Sequence, residues 1–193
     1  FINSSDDLAN LFVKPSVDFE QIENQKIEIE ISTKGANISK LRLKEFDDYK
    51  KTPLFLINED NTDLNLQINL SDGRILNTSE MYFIPKKENR DDNQVLILKS
   101  QISENQFISF VYSLKKDSYF VDFNIKTQGI SNILSTKNLP KVIWKSDVFR
   151  NSKSIDYENR YTELTYGYDG DKVDYLSLSG DDEELVEDVR WVS

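Results

Sequence analysis

Alternation of apolar and polar residues recurs along this chain and limits its fold more than any other feature. Ile27, Ile29 and Ile31 alternate with Lys26, Glu28, Glu30 and Ser32. Leu64, Leu66, Ile68 and Leu70 alternate with Asn65, Gln67 and Asn69. A period of two sends successive side chains to opposite faces of a strand, so each run makes a ribbon with one apolar face. The strongest pair lies within residues 106–127, where Ile108, Phe110, Tyr112 and Leu114 share one face. Tyr119, Val121, Phe123 and Ile125 share a face of the next ribbon. The short link Lys115-Lys116-Asp117-Ser118 forces the two to pair antiparallel.

Further strands are expected at Pro53–Ile57, Met81–Ile84, Val95–Ser100, Thr162–Tyr168 and Val173–Leu178. Gly35, Asp72-Gly73 and the run from Gly167 to Asp171 supply turns that tolerate positive φ. Ile38, Leu41 and Leu43 shift in spacing, which predicts a bulge or a turn near Ser39. Lys86 to Asn93 reads as a charged loop. Roughly ten to twelve short strands at hairpin spacing, with no long amphipathic helix, predict an all-β fold. The expected architecture is a large antiparallel two-sheet sandwich with little helix.

Residues 1–24 read as a linker, in which Leu8 to Val13 could form a helical turn. Residues 25–180 form the expected sandwich. Residues 181–193 read as an acidic bridge, with 181–190 as a helix-or-coil segment. The chain has 34 acids and 24 bases, a formal charge of −10. This charge is uneven. Residues 1–24 hold five acids and one base, residues 181–190 hold six acids and one base, and the stretch between is nearly balanced. An acidic chain lacks the positive footprint that nucleic acid or anionic lipid requires.

With neither His nor Cys among its 193 residues, the chain can build no His-based triad and no thiolate nucleophile. Paired carboxylates remain conceivable, and Asp147, Asp156, Glu158 and Glu163 lie near the tyrosine-rich region. With so many acids, solvated carboxylates or ion pairs with Arg150 and Arg160 are the plainer reading. The Asp169–Asp174 run invites a calcium reading. The EF-hand pattern fails there, because Val173 takes a ligand position and Gly180 stands where a bidentate Glu belongs. No Gly-rich phosphate loop is present. Asn-x-Ser/Thr triplets at Asn3, Asn37, Asn69 and Asn77 are weak signals in an Asn-rich chain. Trp144 with Tyr161 and Tyr166 is a candidate aromatic binding surface, set against ordinary cross-strand packing. No catalytic, metal or cofactor-binding residue is assigned.

The order of these segments resembles the periplasmic domain of the YidC membrane-protein insertases of Bacteroidetes-like bacteria. Ile27 to Leu43, with Lys34-Gly35-Ala36-Asn37-Ile38, is similar to that domain's first hairpin. Ile75 to Ser79 with Tyr82-Phe83, and Ser118 to Phe123, resemble its middle. Trp144, Glu158 to Thr162, and Asp174 to Ser177 resemble its late section. Trp191-Val192-Ser193 looks like the start of the segment leading to the membrane part, and with Phe1 in place of Met the chain reads as part of a longer protein.

The resemblance implies a β-supersandwich, similar to mutarotase-like folds, on the periplasmic side of the inner membrane. Mutarotase chemistry of the usual His-dependent kind does not carry over. It also implies a membrane-integral parent and a non-enzymatic accessory role in insertion and folding. The implied partners are Sec translocon auxiliary subunits and nascent membrane proteins, with the isolated domain a monomer. Trp191 and Val192 are then expected near the membrane interface. A carbohydrate-binding sandwich is the alternative.

Overall fold

The computed structural model describes residues 16–58, 60–90, 92–177 and 183–192. The Asn3 triplet, the Leu8–Val13 patch, Leu178, Gly180, Asp181, Asp182 and Ser193 lie outside the described residues. Strands make up 58% of the structure and helix 6%, in several antiparallel sheets, so the all-β sandwich expectation holds. Two compact units are formed. One comprises the described parts of Phe1–Asp47 and Pro53–Val148, the other those of Asp48–Thr52 and Phe149–Ser193.

In the first unit, β1 (Phe19–Glu23), β2 (Ile27–Ser32), β3 (Ile38–Asp47) and β4 (Pro53–Ile57) hydrogen-bond in chain order. β5 (Thr62–Asn69) and β6 (Ile75–Asn77) pair antiparallel. β7 (Ile84–Arg90), β8 (Asn93–Ser103), β9 (Gln106–Lys115) and β10 (Val121–Gln128) form a second meander, and β11 (Lys141–Ser146) returns to the free side of β5.

Alternation decides what these sheets bury. Ile27, Ile29 and Ile31 are each fully buried, while Glu28 and Glu30 between them meet Arg42 and Lys40 on β3. Leu96, Leu98, Ile108, Phe110, Tyr112 and Leu114 come from β8 and β9, and Leu66 and Ile68 from β5. All join the three isoleucines in one cluster. At its centre Phe110 lies 5.3 Å from both Phe83 and Phe123. Each such side chain contributes about 1.5–3 kcal/mol relative to exposure.

The polar joints are specific. Asn24 turns β1 into β2 by accepting from the Lys26 and Ile27 amides, both at 2.8 Å. Its Nδ2 donates to the Lys115 and Ser118 carbonyls, fastening that turn to the loop after β9. The bulge falls at Ser39, since Glu30 pairs with Lys40 and Ile31 with Ile38. Gly35 at φ +76 and Ala36 at φ 55 carry the β2–β3 turn. A Cβ on Gly35 would sit 3.3 Å from the Ser79 backbone, and the buried Tyr112 hydroxyl donates to the Ala36 carbonyl. Burial of Tyr112 also pushes its pKa well above the usual phenol range.

Three expectations need correction. β1 lies inside the stretch read as a linker, because Ile22 fills the core beside β2. The Lys86–Asn93 loop belongs largely to strand β7, whose charges point to solvent while its backbone completes the β8 ladder. The 181–190 helix-or-coil segment is coil over residues 183–188, as expected, but its end is a strand. There Val189–Val192 forms β14, since β-branched and aromatic residues suit a strand edge.

In the second unit, β12 (Glu163–Tyr168) pairs with β13 (Lys172–Ser177) on one side and β14 on the other. Helix α1 (Ile155–Tyr161) was not anticipated. Ser154 caps it by accepting from the Tyr157 amide at 3.3 Å, and Asp156 and Glu158 favour its positive end. The Trp191 indole lies against Gly167, where an added Cβ would meet Nε1 at 2.2 Å.

Two outcomes follow from this packing. Phe110→Ala should lower stability by about 3–5 kcal/mol in urea unfolding, the range for a buried aromatic left as a cavity. Gly167→Ala should push the indole off the sheet, which a red shift of Trp191 emission in a Trp144→Phe background would report.

Candidate functional site

The first unit contains an open apolar groove of about 520 Å³. Its walls come from three sheets. Ile38 and Leu41 of β3 and Ile57 of β4 form one wall, Leu64 of β5 with Val142 and Trp144 of β11 another, and Val121, Phe123 and Ile125 of β10 the third. β4, β10 and β11 are each the last strand of their sheets, so the groove lies where three sheet edges meet. Period-two geometry explains the lining. Val142 and Trp144 share one face of β11, opposite Leu66 and Leu64 of β5. Val121, Phe123 and Ile125 share the inner face of β10, while Asp122, Asn124 and Lys126 are exposed on the other.

Trp144 presents its ring to solvent with 65% of its surface exposed, and Val142 beside it is 62% exposed. The indole is held by its polar atom, since Nε1 donates to Thr62 Oγ1 at 3.0 Å and that hydroxyl donates to the Lys145 carbonyl. Asn37, at the same wall, donates through Nδ2 to Asp63 and accepts from the Leu64 amide. The polar groups lining the groove are thus committed within the chain. What it offers a visitor is apolar surface and strand edges, which suits an aliphatic or aromatic side chain better than a sugar hydroxyl.

A polar clamp joins the turn before β10 to the end of β3. Lys26 Nζ lies 2.8 Å from Glu45, the Tyr119 hydroxyl donates to the same carboxylate, and the Tyr119 ring packs 6.2 Å from Phe46. Lys26, and then Tyr119, hold the Glu45 carboxyl below its ordinary range. Glu45 in return raises Lys26 and Tyr119.

Of the aromatic surface expected from sequence, Trp144 belongs to the groove in the first unit, whereas Tyr161 and Tyr166 belong to the second. Tyr161 packs against Tyr157 along α1 with the rings tilted, at 4.8 Å between ring centres. Tyr166 is only 5% exposed and donates to Glu184, so it offers no face to a ligand. Trp191 is 46% and Val192 48% exposed on β14. Glu158 accepts from the Asn151 and Ser152 amides, a structural use of a carboxylate weighed above for catalysis. The Asp169–Asp174 run is a tight turn at Asp169–Asp171, with Asp169 at φ 40 and Gly170 at φ 86, leading into β13, and Lys172 neutralises Asp169 at 2.6 Å. Sequence reasoning missed Val142, Ile57 and Leu64 as groove residues. Their strands were legible, but not that three edges meet.

The pH dependence of the clamp has a definite sign. A depressed Glu45 pKa gives stability that is present above the ordinary carboxylate pKa and lost as pH falls through the folded value. A raised Lys26 pKa gives stability that is lost only as pH rises through its own folded value. NMR titration should find Glu45 below its ordinary value, and Tyr119→Phe should move it upward.

A model of the YidC periplasmic domain matches residues 20–193. Over 177 residues, 91% of the chain, it is 33% identical to the "Membrane protein insertase YidC" of Parabacteroides distasonis. The protein of the same name from Bacteroides fragilis is 33% identical over 192 residues, 97% of the chain. That from Porphyromonas gingivalis is 31% identical over 179 residues, 90% of the chain. The chain spans only 28% to 30% of the length of these relatives. No solved structure matches it.

Proposed function

The chain belongs to the YidC periplasmic-domain family, and from that premise we propose that it is a non-catalytic accessory domain of a membrane protein insertase whose apolar groove receives extended apolar stretches of polypeptide. The observation that carries this reading is the groove itself. Its walls are apolar side chains, its polar atoms are already paired, and the edges of β4 and β11, unpaired among the described residues, border it. An extended segment can meet such a place with main-chain hydrogen bonds along an edge and alternate side chains in the groove. Nascent membrane proteins are rich in such segments, which makes them the first partner to consider. Sec auxiliary subunits are a second class of partner on the periplasmic side.

The carbohydrate alternative is weaker, because sugar hydroxyls need free donors and acceptors that the groove does not supply. Exposure of Trp191 and Val192 supports their placement near the bilayer, since an indole combines an apolar ring with a polar N–H. No helix among the described residues is long and apolar enough to cross a membrane.

The two tryptophans allow a direct test. In a Trp191→Phe background, an apolar peptide of alternating Leu and Thr should shift Trp144 emission to the blue in a saturable way. A peptide with Asp at the Leu positions should not. Phe123→Asp should weaken the interaction by roughly tenfold or more, the cost of a charge in an apolar contact. A glycan panel that saturates the signal while the peptide does not would overturn the proposal.

A further inference from the structure

The outer edge of β10 carries an inference independent of the groove's ligand. β10 ends its sheet, and no strand among the described residues pairs with its free side. Natural proteins guard such edges with proline, engaged charges or like-charge repulsion. Two other edges of the first unit follow this practice. β7 contains Pro85, and its Lys87 and Lys86 are engaged with Glu20 at 2.7 Å and Glu88 at 2.9 Å. β11 carries Lys141 and Lys145, which would oppose one another if two copies paired about Ile143.

β10 does the opposite. It reads Val121-Asp122-Phe123-Asn124-Ile125-Lys126-Thr127, a sequence whose charges and apolar residues are complementary under reversal about Asn124. Asp122 and Lys126 are exposed, and neither forms an ion pair among the described residues.

We propose that β10 pairs antiparallel with β10 of a second copy of this chain, on a two-fold axis at Asn124. Such an axis sets each residue opposite one of the same strand face, as antiparallel pairing requires. In this register Asp122 meets the partner's Lys126, and Lys126 meets the partner's Asp122, on the solvent side. On the groove side Phe123 meets the partner's Ile125, and Val121 the partner's Thr127. Opposite charges and aromatic–aliphatic pairs are the cross-strand combinations that stabilise a sheet. The two four-stranded sheets become one continuous sheet, and both groove walls fall on the same side of it. The monomer expected from sequence is the competing outcome.

Sedimentation equilibrium of the chain at low salt tests the proposal. A monomer–dimer equilibrium that weakens with added salt is expected. Asp122→Lys and Lys126→Asp each place like charges opposite one another, so each should raise the dissociation constant about tenfold or more. An equimolar mixture of the two variants should dimerise again, because the lysine introduced in one copy then faces the aspartate introduced in the other. Circular dichroism matching the unsubstituted chain establishes that the variants fold. As the chain has no cysteine, Asn124→Cys gives a second readout that leaves both charges intact. It should cross-link to a dimer through a short bis-maleimide, whereas Lys116→Cys should not. A chain that stays monomeric, a dimer insensitive to both charge variants, or a mixture that fails to reassociate would overturn the proposal.

Discussion

The structure depends on one constraint: a strand with a single apolar face must cover that face. Ile27, Ile29 and Ile31 on β2 meet the apolar faces of β8 and β9 around Phe110. The rest is arranged to permit that contact. Asn24 fixes the entry to β2 and ties it to the loop after β9. The Ser39 bulge lets β3 follow the twisted sheet without turning its apolar residues outward. The left-handed Gly35–Ala36 turn brings a carbonyl to the Tyr112 hydroxyl, so the buried phenol tip in this cluster has a partner.

The groove follows from the same constraint at its margin. Sheets that twist cannot cover one another to their edges, and here three end strands, β4, β10 and β11, meet where coverage runs out. The inward residues of β10 (Val121, Phe123 and Ile125) and of β11 (Val142 and Trp144) keep the strand period and are apolar. Trp144 occupies that margin with its indole N–H committed to Thr62, which leaves a fixed ring and no free donor.

Sequence reasoning succeeds here where the signal is local. The β9–β10 hairpin, an irregularity at Ser39 and the buried faces of β2 and β5 followed from spacing alone, since a period of two shows within a few residues. β1 and β7 did not, because both carry charges that hide the alternation, and each is a strand only because a neighbour supplies a ladder. Helix α1 was overlooked although Ser154, Asp156 and Glu158 mark its start, as its seven residues are too few to show a helical period. Trp144 was found by being an aromatic residue in an apolar run. Tyr166 had the same credentials and proved buried, because exposure depends on what packs from other parts of the chain.

The sequence by itself determined the class of fold, the faces that would be buried, the absence of His and Cys chemistry and the family resemblance. Each of these is a property of residue types and of spacing over a few residues. Only the tertiary structure decided which edges remain open, that Val142, Phe123 and Leu64 share a groove with Trp144, and that β10 presents a self-complementary edge without a partner strand among the described residues. Those depend on contacts between residues far apart in sequence, which the energetics of closing long loops and covering sheet faces select and no local pattern encodes.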